Sequence, residues 1–186
     1  ADALIVADLG AAREIRRRFD IELHASTQVS GHSVGATEYL ADAGFSRMVC
    51  AREMSREDIR TFIDTSPLEA EVFVHGALCV CHSGQCLFSS VVGGRSGNRG
   101  ECAQPCRLQY KMCQKSSYPL SLKDMSLNSH ITEIIDTGVN TLKIEGRMKS
   151  ADYVGGAVSI WRKLLDEKRN ATNREKQTLE ALFSRQ

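Results

Sequence analysis

The sequence lacks the features that direct a chain into a membrane or out of the cell. No apolar run approaches the roughly 20 residues that a helix needs to cross a bilayer. Residues 1–8 contain neither a basic region nor a long apolar stretch of the kind that begins a signal peptide. The net charge of +1 points to no class of partner. We therefore expect a cytoplasmic protein without membrane contact.

An initiating methionine and the H-E-x-x-H pattern of zinc peptidases are also missing. We take the missing methionine as a sign that these residues come from the interior of a longer protein. The 186 residues are 42% hydrophobic and 25% charged, which is the composition of one globular domain of ordinary size.

Seven cysteines are present although no secretion signal is seen. In a reducing compartment, clustered thiols serve more often as metal ligands or catalytic groups than in disulfides. Disulfides stay open as an alternative, because a secretion signal could precede the residues given.

Short strand-like segments alternate with helix-like segments along most of the sequence. Period-two alternation or short apolar runs predict strands, and apolar residues three or four apart predict helices. Ser55 with Asp58 is a typical helix start, and Gly44 a typical helix end. The predicted strands are residues 4–6, 21–26, 45–51, 69–75, 118–122 and 141–144. The predicted helices are residues 10–19, 33–43, a helix starting at Ser55, 129–138 and 150–170.

Repeated βα units imply a parallel sheet with helical crossovers. We predict an α/β fold of the TIM-type (β/α) barrel kind, partial in this chain because about six strands fall short of eight. An open α/β sheet is the alternative. The barrel domain covers residues 1–170, a Cys-rich insertion covers residues 76–117, and residues 171–186 form a polar tail or a helix.

Polar side chains follow nearly every predicted strand. In barrels and in open parallel sheets, ligands bind at the carboxyl ends of the strands. We therefore expect these side chains to converge on one face of the protein. They are Asp8, residues 26–28, Arg52, Glu53, His75, Lys123, Asp124, Lys143, Glu145 and Arg147.

The cysteine-rich insertion carries thiols at spacings that suit a metal centre. Cys79 and Cys86 are separated by six residues, and Cys102 and Cys106 by three. Structural zinc sites favour tighter C-x2-C pairs, whereas looser spacing with glycines suits a [4Fe–4S] cluster. We favour the cluster over zinc, disulfides and inert buried thiols.

The same insertion is locally basic. Glycines around the cations let backbone amides approach an anion, so a phosphate or carboxylate site, including an RNA backbone, is one interpretation. A solvated flexible loop is the other. The cations are Arg95, Arg99, Arg107, Lys111 and Lys115.

The sequence of this region resembles that of peptidase family U-32. This chain matches every position of the family signature. The signature is Glu-x-Phe-x-x-Gly followed by a small residue, an aliphatic residue and Cys, and then Ser-Gly-x-Cys with a later Ser. The matching residues are Glu71, Phe73, Gly76, Ala77, Leu78, Cys79, Ser83, Gly84, Cys86 and Ser89. Residues 98–107 and 143–149 are also typical of the family.

The resemblance implies a longer TIM-barrel protein and two kinds of activity. The family name implies collagenase-like proteolysis. Better-understood members bind a [4Fe–4S] cluster and hydroxylate RNA bases of tRNA or rRNA, or a ubiquinone precursor, without oxygen, with prephenate as the implied source of the hydroxyl group. We expect hydroxylation of RNA, with a collagenase-like peptidase acting on a peptide substrate as the alternative.

By position, Cys79, Cys86 and Cys102 match cluster ligands of the family. Cys106 is the predicted fourth ligand, with Cys113 and Cys81 as alternatives. Cys50 and Cys81 are otherwise expected to be packed thiols.

For the reaction, the predicted proton-moving residues are His75, Asp124 and Glu145, since each follows a predicted strand. The predicted anion-binding residues are Arg95, Arg99, Arg107, Lys123, Lys143 and Arg147. Lys143, Glu145 and Arg147 could instead form a structural ion-pair cluster. For a peptidase, Ser83 or Cys86 with His75 or His82 would have to supply nucleophile and base. A third hypothesis is a cluster-carrying, RNA-binding partner subunit. For each of these activities, the exposed sheet edges of an incomplete barrel would favour a homo- or heterodimer.

Overall fold

The computed structural model describes residues 1–112 and 114–182. Cys113, an alternative fourth ligand, lies outside the described residues. The strands are β1 (Ala3–Val6), β2 (Glu22–Ala25), β3 (Arg47–Val49), β4 (Glu69–Gly76), β5 (Tyr110–Met112), β6 (Lys115–Ser117), β7 (Met125–Ser126) and β8 (Thr141–Ile144). The helices are α1 (Leu9–Arg18), α2 (Val34–Asp42), α3 (Arg56–Thr65), α4 (Phe88–Gly93), α5 (Ile131–Asp136), α6 (Ala151–Asp166) and α7 (Asn173–Leu182).

The central sheet is mostly parallel. Strands β1, β2, β3, β4 and β8 lie side by side in that order, and β7 pairs antiparallel with the end of β4. Within residues 1–112 and 114–182, β1 pairs only with β2 and β8 only with β4, so the sheet is open. The predicted α/β class is confirmed, whereas a closed TIM barrel is not.

The helices cover one face of this sheet. Six of them, α4 excepted, share one hydrophobic cluster with alternate residues of the strands, such as Leu23 and Ala25 on β2 and Val72 and Val74 on β4. The intervening side chains point away from that cluster and include charged residues such as Glu71, which lies 2.6 Å from Lys143. In doubly wound sheets helices cover both faces, so this one-sided arrangement differs from a doubly wound sheet.

Side-chain caps explain where several predicted helices begin. Ser55 and Asp58 form a reciprocal capping box at the start of α3. Ser33 at α2 and Ser150 at α6 are simpler caps, in which the serine side chain accepts one hydrogen bond from a backbone amide. Gly44 follows α2 with φ of 88°, a backbone conformation that glycine adopts at little cost. The helix starts predicted at residues 33, 55 and 150 are therefore confirmed within a residue.

The predicted strand at residues 118–122 is wrong. Tyr118, Leu120 and Leu122 alternate as in a strand but are exposed, and the strand here is the short antiparallel β7 further along. Lys123 and Asp124 therefore precede a strand rather than follow one. Alternation alone misled because a strand also needs a partner with free backbone groups, and here β7 takes that place at the end of β4.

The insertion leaves the sheet at Gly76, the last residue of β4. Gly76 has φ of 108°, and a Cβ there would lie 2.5 Å from the carbonyl oxygen of Glu145. The insertion then contains α4, two short 3-10 turns and the β5–β6 hairpin. The glycine lets the insertion pass directly beside the end of β8, which sets the position of the cysteines.

The C-terminal segment contains a helix, α7, which packs on α6 through the buried Leu179. Arg169 and Glu175 join its start to the preceding turn with two hydrogen bonds of 2.8 Å. Among the helices of the described ranges, none is both long and apolar enough to cross a membrane.

Candidate functional site: a cysteine-lined pocket

The predicted ligands Cys79, Cys86, Cys102 and Cys106 line one pocket of about 190 Å³. Residues that follow parallel strands complete its wall: Thr27 and Gln28 after β2, Arg52 after β3, and Glu145 and Arg147 after β8. The pocket therefore lies at the carboxyl ends of the strands, where parallel sheets bind ligands. Long-range folding brings together cysteines that are up to 27 residues apart in sequence.

The thiols of this pocket are close enough to affect one another. Burial raises the pKa of the Cys106 thiol, Arg107 lowers it, and Cys79, Cys102 and Cys86 raise it again through their charge. The backbone amide of Gln104 donates a hydrogen bond to the Cys102 sulfur at 3.3 Å. Hydrogen bonds to ligand sulfurs are one way in which proteins tune an iron–sulfur cluster.

The remaining described cysteines occupy different positions. The pKa of Cys81 is raised, chiefly by burial and then by the charge of Cys86 and a hydrogen bond to it. Cys50 is buried in the hydrophobic cluster, and burial raises its pKa to about 12. Each of the six described cysteines is a free thiol. Cys50 therefore packs as expected, while Cys81 lies beside the pocket's thiols.

The pocket offers four soft sulfur donors. In the part of the chain that the structure describes, no three Cys, His, Asp or Glu side chains gather closely enough to hold one metal ion. A tetrahedral zinc site, with Zn–S bonds of about 2.3 Å, would bring its sulfurs within roughly 3.8 Å of one another. In an iron–sulfur cluster each iron atom takes a separate thiolate, so the sulfurs that hold the cluster lie farther apart.

A buried serine fixes the loop between Cys79 and Cys86. Ser83 donates from its backbone amide and its hydroxyl to the Glu53 carboxylate, both at 2.9 Å. The Ser83 hydroxyl also accepts a hydrogen bond from the Arg52 amide at 3.3 Å. His82 and His32 lie 3.4 and 3.8 Å from the same carboxylate. The pKa of Glu53 is lowered, because these hydrogen bonds outweigh the cost of burial.

Arg52 is a pocket residue that in the sequence is only one of many polar residues after a predicted strand. Its guanidinium lies 3.8 Å above the centre of the Phe73 ring and 3.4 Å from the Glu145 carboxylate. Its Nε is buried without a hydrogen-bond partner in the structure described. Burial lowers the pKa of Arg52, although Glu145 and Cys79 oppose this through their charge. The signal for Arg52 is its stacking on Phe73, which no local motif reveals.

Glu145 lies in the pocket, as the sequence predicted for a reactive carboxylate. One of its oxygens accepts a hydrogen bond from the Arg147 amide at 2.9 Å, and the other faces Arg52. Its backbone carbonyl accepts from the Tyr153 hydroxyl at 3.1 Å. The carboxylate is therefore held between two arginines at the edge of the thiol-lined space.

His75 and Asp124 belong to a second, buried cluster outside the pocket wall. His75 bonds to the Ser126 hydroxyl at 3.0 Å and stacks on Tyr153. Asp124 lies 3.5 Å from Lys149, and both side chains are more than nine-tenths buried. Burial lowers the pKa of His75, Asp124 raises it and Lys149 lowers it again. The structure therefore brings only Glu145 of the three predicted proton-moving residues to the pocket.

Arg107 connects separate segments of the insertion through hydrogen bonds. Its guanidinium donates to the backbone carbonyls of Leu78 and Leu122, and to the Ser121 hydroxyl at 3.1 Å. These contacts join the turn that carries Cys106 to the segment before Cys79. Arg107 lines the pocket, but its donors are largely occupied by the protein.

The other predicted cations occupy three kinds of position. Lys143 bonds to the buried Glu71 at 2.6 Å, away from the pocket wall. Arg147 lines the pocket and donates weakly to the Cys102 carbonyl at 3.5 Å. Arg95, Arg99 and Lys123 are exposed and lie outside the pocket wall. Of the predicted anion-binding residues, Arg107 and Arg147 therefore line the cysteine-lined pocket, and the others do not.

Residues 31–35, Gly-His-Ser-Val-Gly, match the G-x-S-x-G pattern of serine hydrolases. The pattern is meaningful only where the serine sits on a sharp turn directly between a strand and a helix. Here Ser33 is the N-cap of α2, and its hydroxyl accepts from the Ala36 amide at 3.3 Å. A 3-10 turn separates it from β2.

The fold and the site together define an α/β protein with a thiol-lined pocket at the carboxyl end of a parallel sheet. Comparison with known proteins then gives the family. The chain belongs to Peptidase family U32, whose family model matches residues 1–186. The resemblance predicted from the cysteine signature is confirmed.

Curated relatives carry different activities. The chain is 41% identical over 173 residues to the 23S rRNA 5-hydroxycytidine C2501 synthase of Escherichia coli, covering 89% of this chain and 26% of that protein. It is 37% identical to tRNA hydroxylation protein P1 of Bacillus subtilis, covering 88% of this chain and 42% of the relative. It is 32% identical to a collagenase of Porphyromonas gingivalis, covering 91% and 45%. The chain thus spans between about a quarter and a half of the length of these relatives.

One solved structure also matches, that of the U32 peptidase Mk0906. The match has a TM-score of 0.37 and 13% sequence identity, and it covers 41% of this chain and 32% of the other.

Proposed function

We propose that this chain is the cluster-binding part of a protein that hydroxylates an RNA base without using oxygen. The observation that carries the proposal is the convergence of Cys79, Cys86, Cys102 and Cys106 on one pocket at the strand ends. The proposal is supported by relatives from Escherichia coli and Bacillus subtilis that are named for rRNA and tRNA hydroxylation. RNA is accordingly the proposed macromolecular partner, and the cytoplasm the proposed location.

The four pocket cysteines would hold a [4Fe–4S] cluster, and the Gln104 amide would tune it through its bond to Cys102. When bound, such a cluster supplies electron transfer or an iron that binds a substrate oxygen. Zinc is the less favoured occupant, because the thiols do not gather as closely as a single ion requires.

The protein's own residues would position the reactants around that centre. Arg147 would bind an anionic group at the pocket's edge, since its guanidinium makes only a weak contact with Cys102. Glu145, between Arg52 and Arg147, would accept or return a proton at its carboxylate oxygen. The exposed Arg95 and Arg99 would meet RNA phosphates outside the pocket. Prephenate is the co-substrate that we propose as the source of the hydroxyl group.

The fold proposal goes one step further than the open sheet. We propose that β1–β4 and β8 are part of a barrel, because the helices cover only one face and the relatives are longer than this chain. Strands from elsewhere in the whole protein would then pair with the open edges of β1 and β8. The same edges could otherwise pair in a dimer.

A collagenase-like peptidase is the second candidate, because the relative from Porphyromonas gingivalis carries that name. The contacts of Ser83 and Ser33 argue against these two serines as its nucleophile, whereas Ser126 is a serine that does bond to a histidine, His75, at 3.0 Å. Ser83 is buried and bonded to Glu53, and Ser33 is a helix cap, so neither hydroxyl has a histidine partner in the structure described. A cysteine that holds iron is also not free to attack a peptide.

The proposal is tested in cells by deleting the gene and analysing the nucleosides of tRNA and rRNA by mass spectrometry. We expect one hydroxylated nucleoside to disappear, and to return with the full-length wild type and with the control Ser116→Ala on the exposed hairpin, but not with Cys79→Ala. An unchanged nucleoside profile in the deletion strain would contradict hydroxylation. Cleavage of gelatin by purified protein that survives Cys102→Ala would instead favour the peptidase. RNA binding and cluster loading without loss of any modified nucleoside would favour a carrier subunit.

A further inference from the structure

We propose that Cys81 and Cys86 form a reversible disulfide when the thiol-lined pocket holds no cluster, and that this disulfide blocks iron uptake until a thiol reductant opens it. Of the six described cysteines, Cys81 alone neither lines the pocket nor belongs to the hydrophobic cluster. The blocking role rests on the proposed function, because it takes Cys86 as a cluster ligand. The disulfide itself does not depend on a cluster.

A tight turn brings the two cysteines side by side. The Gln85 amide donates to the His82 carbonyl at 3.2 Å, which closes a four-residue turn over residues 82–85. Gly84, the third residue of the turn, has φ of 77°, the positive value that a type II turn requires there. The ends of such a turn lie less than about 7 Å apart, so Cys81 and Cys86, directly before and after it, are neighbours. Their thiols share a hydrogen bond.

Contacts with two other loops fix this turn. Ser83 donates twice to Glu53 at 2.9 Å, and its carbonyl accepts from the Ser30 hydroxyl at 3.2 Å. A Cβ at Gly84 would lie 2.4 Å from that same hydroxyl, so the turn packs closely on the loop after β2. A disulfide needs Cα atoms about 4.4–6.8 Å apart. Since the turn is held by the protein's own contacts, the two thiols stay adjacent whether or not iron is bound.

Both thiols are accessible to a small oxidant. Cys81 and Cys86 are half-exposed, whereas Cys50 is buried in the hydrophobic cluster. Thiol–disulfide exchange requires access to the attacking sulfur. In a reducing compartment such as the cytoplasm, the disulfides that do form are mostly transient or redox-sensing. An exposed pair on a short turn is therefore suited to a reversible disulfide rather than to a permanent one.

The oxidant in this reaction is a small-molecule disulfide such as glutathione disulfide. The Cys81 thiol releases its proton and attacks one glutathione sulfur, which breaks the S–S bond and releases one glutathione thiolate. The Cys86 thiol then releases its proton and attacks the Cys81 sulfur, which releases the second glutathione. The two protein thiols lose two electrons and two protons, and two glutathione thiols take them up. A sulfur in a disulfide is no longer a thiolate ligand, so the disulfide and the cluster exclude each other.

The disulfide is tested on iron-free protein in buffers of reduced and oxidised glutathione, followed by alkylation, trypsin digestion and mass spectrometry. Cys79, Cys81 and Cys86 fall in one tryptic peptide, residues 61–95. We expect fragmentation of this peptide to show an alkylated Cys79 and a Cys81–Cys86 bond that disappears with excess reduced glutathione. The control Cys50→Ser should form the same bond, and Cys81→Ser should form no disulfide within this peptide.

Iron uptake under anaerobic reconstitution tests the blocking role. At the lowest proportion of glutathione disulfide that closes the bond, we expect oxidised wild type to take up less than about a tenth of the iron of reduced wild type. Dithiothreitol should restore the uptake. Cys81→Ser, given the same treatment, should take up as much iron as before it, because Cys86 then has no neighbouring thiol with which to pair.

The outcomes that would overturn the inference are distinct. A Cys79–Cys81 or Cys79–Cys86 bond in place of the expected one, or no bond at any glutathione ratio, would contradict the disulfide in the wild type, without reliance on any variant. Equal iron uptake by oxidised and reduced wild type would contradict the blocking role. If reduced wild type takes up no iron, the proposed cluster and the blocking role both fail, and the disulfide is judged by the peptide alone.

Discussion

At the residue scale, Ser83 connects the cysteine loop to the end of β3. Its hydroxyl donates to Glu53 and accepts from the Arg52 amide, while its own amide donates to Glu53 as well. The loop that carries Cys79 and Cys86 is therefore fixed by one buried side chain. Ser83 therefore has a structural role in this segment, although its hydroxyl has no histidine partner within the described residues to act as a base.

We expect Ser83→Ala to lower the free energy of unfolding by about 1–2 kcal/mol, because the Arg52 amide and the Glu53 carboxylate each lose a partner while part of Glu53 regains water. Urea denaturation measures the change. Ser116→Ala, at an exposed position of the β5–β6 hairpin, is the control and should change stability by less than about 0.5 kcal/mol. Equal stability of both variants would show that the Ser83 contacts do not hold the loop.

His75 should titrate below the ordinary histidine range. Burial lowers its pKa from 6.5, because the imidazolium would lose water between Tyr153 and Trp161. The folded protein thus binds this proton less readily than the unfolded chain. The neutral imidazole contributes stability that is present above pH 6.5 and is lost as the pH falls through the folded-state pKa. An NMR titration of the His75 ring should give a midpoint below 6.5, whereas a midpoint at or above 6.5 would show that the ring is hydrated or paired with Asp124.

Single residues also show what could be read from the sequence. The spacing of the cysteines singled out Cys79, Cys86, Cys102 and Cys106, and the structure places all four on one pocket. Their role as ligands stays a prediction. Arg52 was one of many polar residues after a strand, and its special position depends on Phe73 and Glu145, 21 and 93 residues further along. His75 and Asp124 were predicted to move protons, and the structure places them in a buried cluster outside the pocket wall, because a position near a strand end does not tell which way the side chain points.

At the scale of elements, helices were predicted well and the short strands less well. Caps such as Ser55 and Ser150 act locally, so the sequence contains the signal for where α3 and α6 begin. The two-residue strand β7 exists only because β4 offers free backbone groups next to it. The misassigned strand at residues 118–122 and the missed β7 thus have the same physical cause, which is pairing over a long sequence distance.

Arg107 makes the turn around Cys106 depend on two distant segments. We expect Arg107→Gln to raise amide hydrogen exchange of residues 102–108 by about tenfold or more, since three acceptors on Leu78, Ser121 and Leu122 lose their donor. Exchange followed by mass spectrometry measures this at peptide level. Lys111→Gln on the exposed side of β5 is the control and should leave that segment unchanged. Equal protection in both variants would mean that backbone contacts alone hold the turn.

At the scale of the whole molecule, the sheet formed by residues 1–112 and 114–182 has a covered face, an uncovered face and two open edges. The helices share one core with alternate strand residues, while the cysteine insertion closes over the carboxyl ends of the strands. The chain covers no more than about half of its curated relatives. The parallel order of β1–β4 and β8 was predictable from the βα rhythm, whereas the barrel stays a proposal, because pairing between distant strands has no local signal in the sequence.

The central claim is that Cys79, Cys86, Cys102 and Cys106 together hold one [4Fe–4S] cluster. Anaerobic reconstitution of the protein, followed by iron and sulfide analysis and an absorbance spectrum, tests it most directly. We predict about four iron and four sulfide ions per chain for the wild type and for the control Cys50→Ser, and a marked loss of both in Cys106→Ser. A wild-type protein that stays colourless and free of iron, or that retains a single zinc ion instead, would contradict the claim.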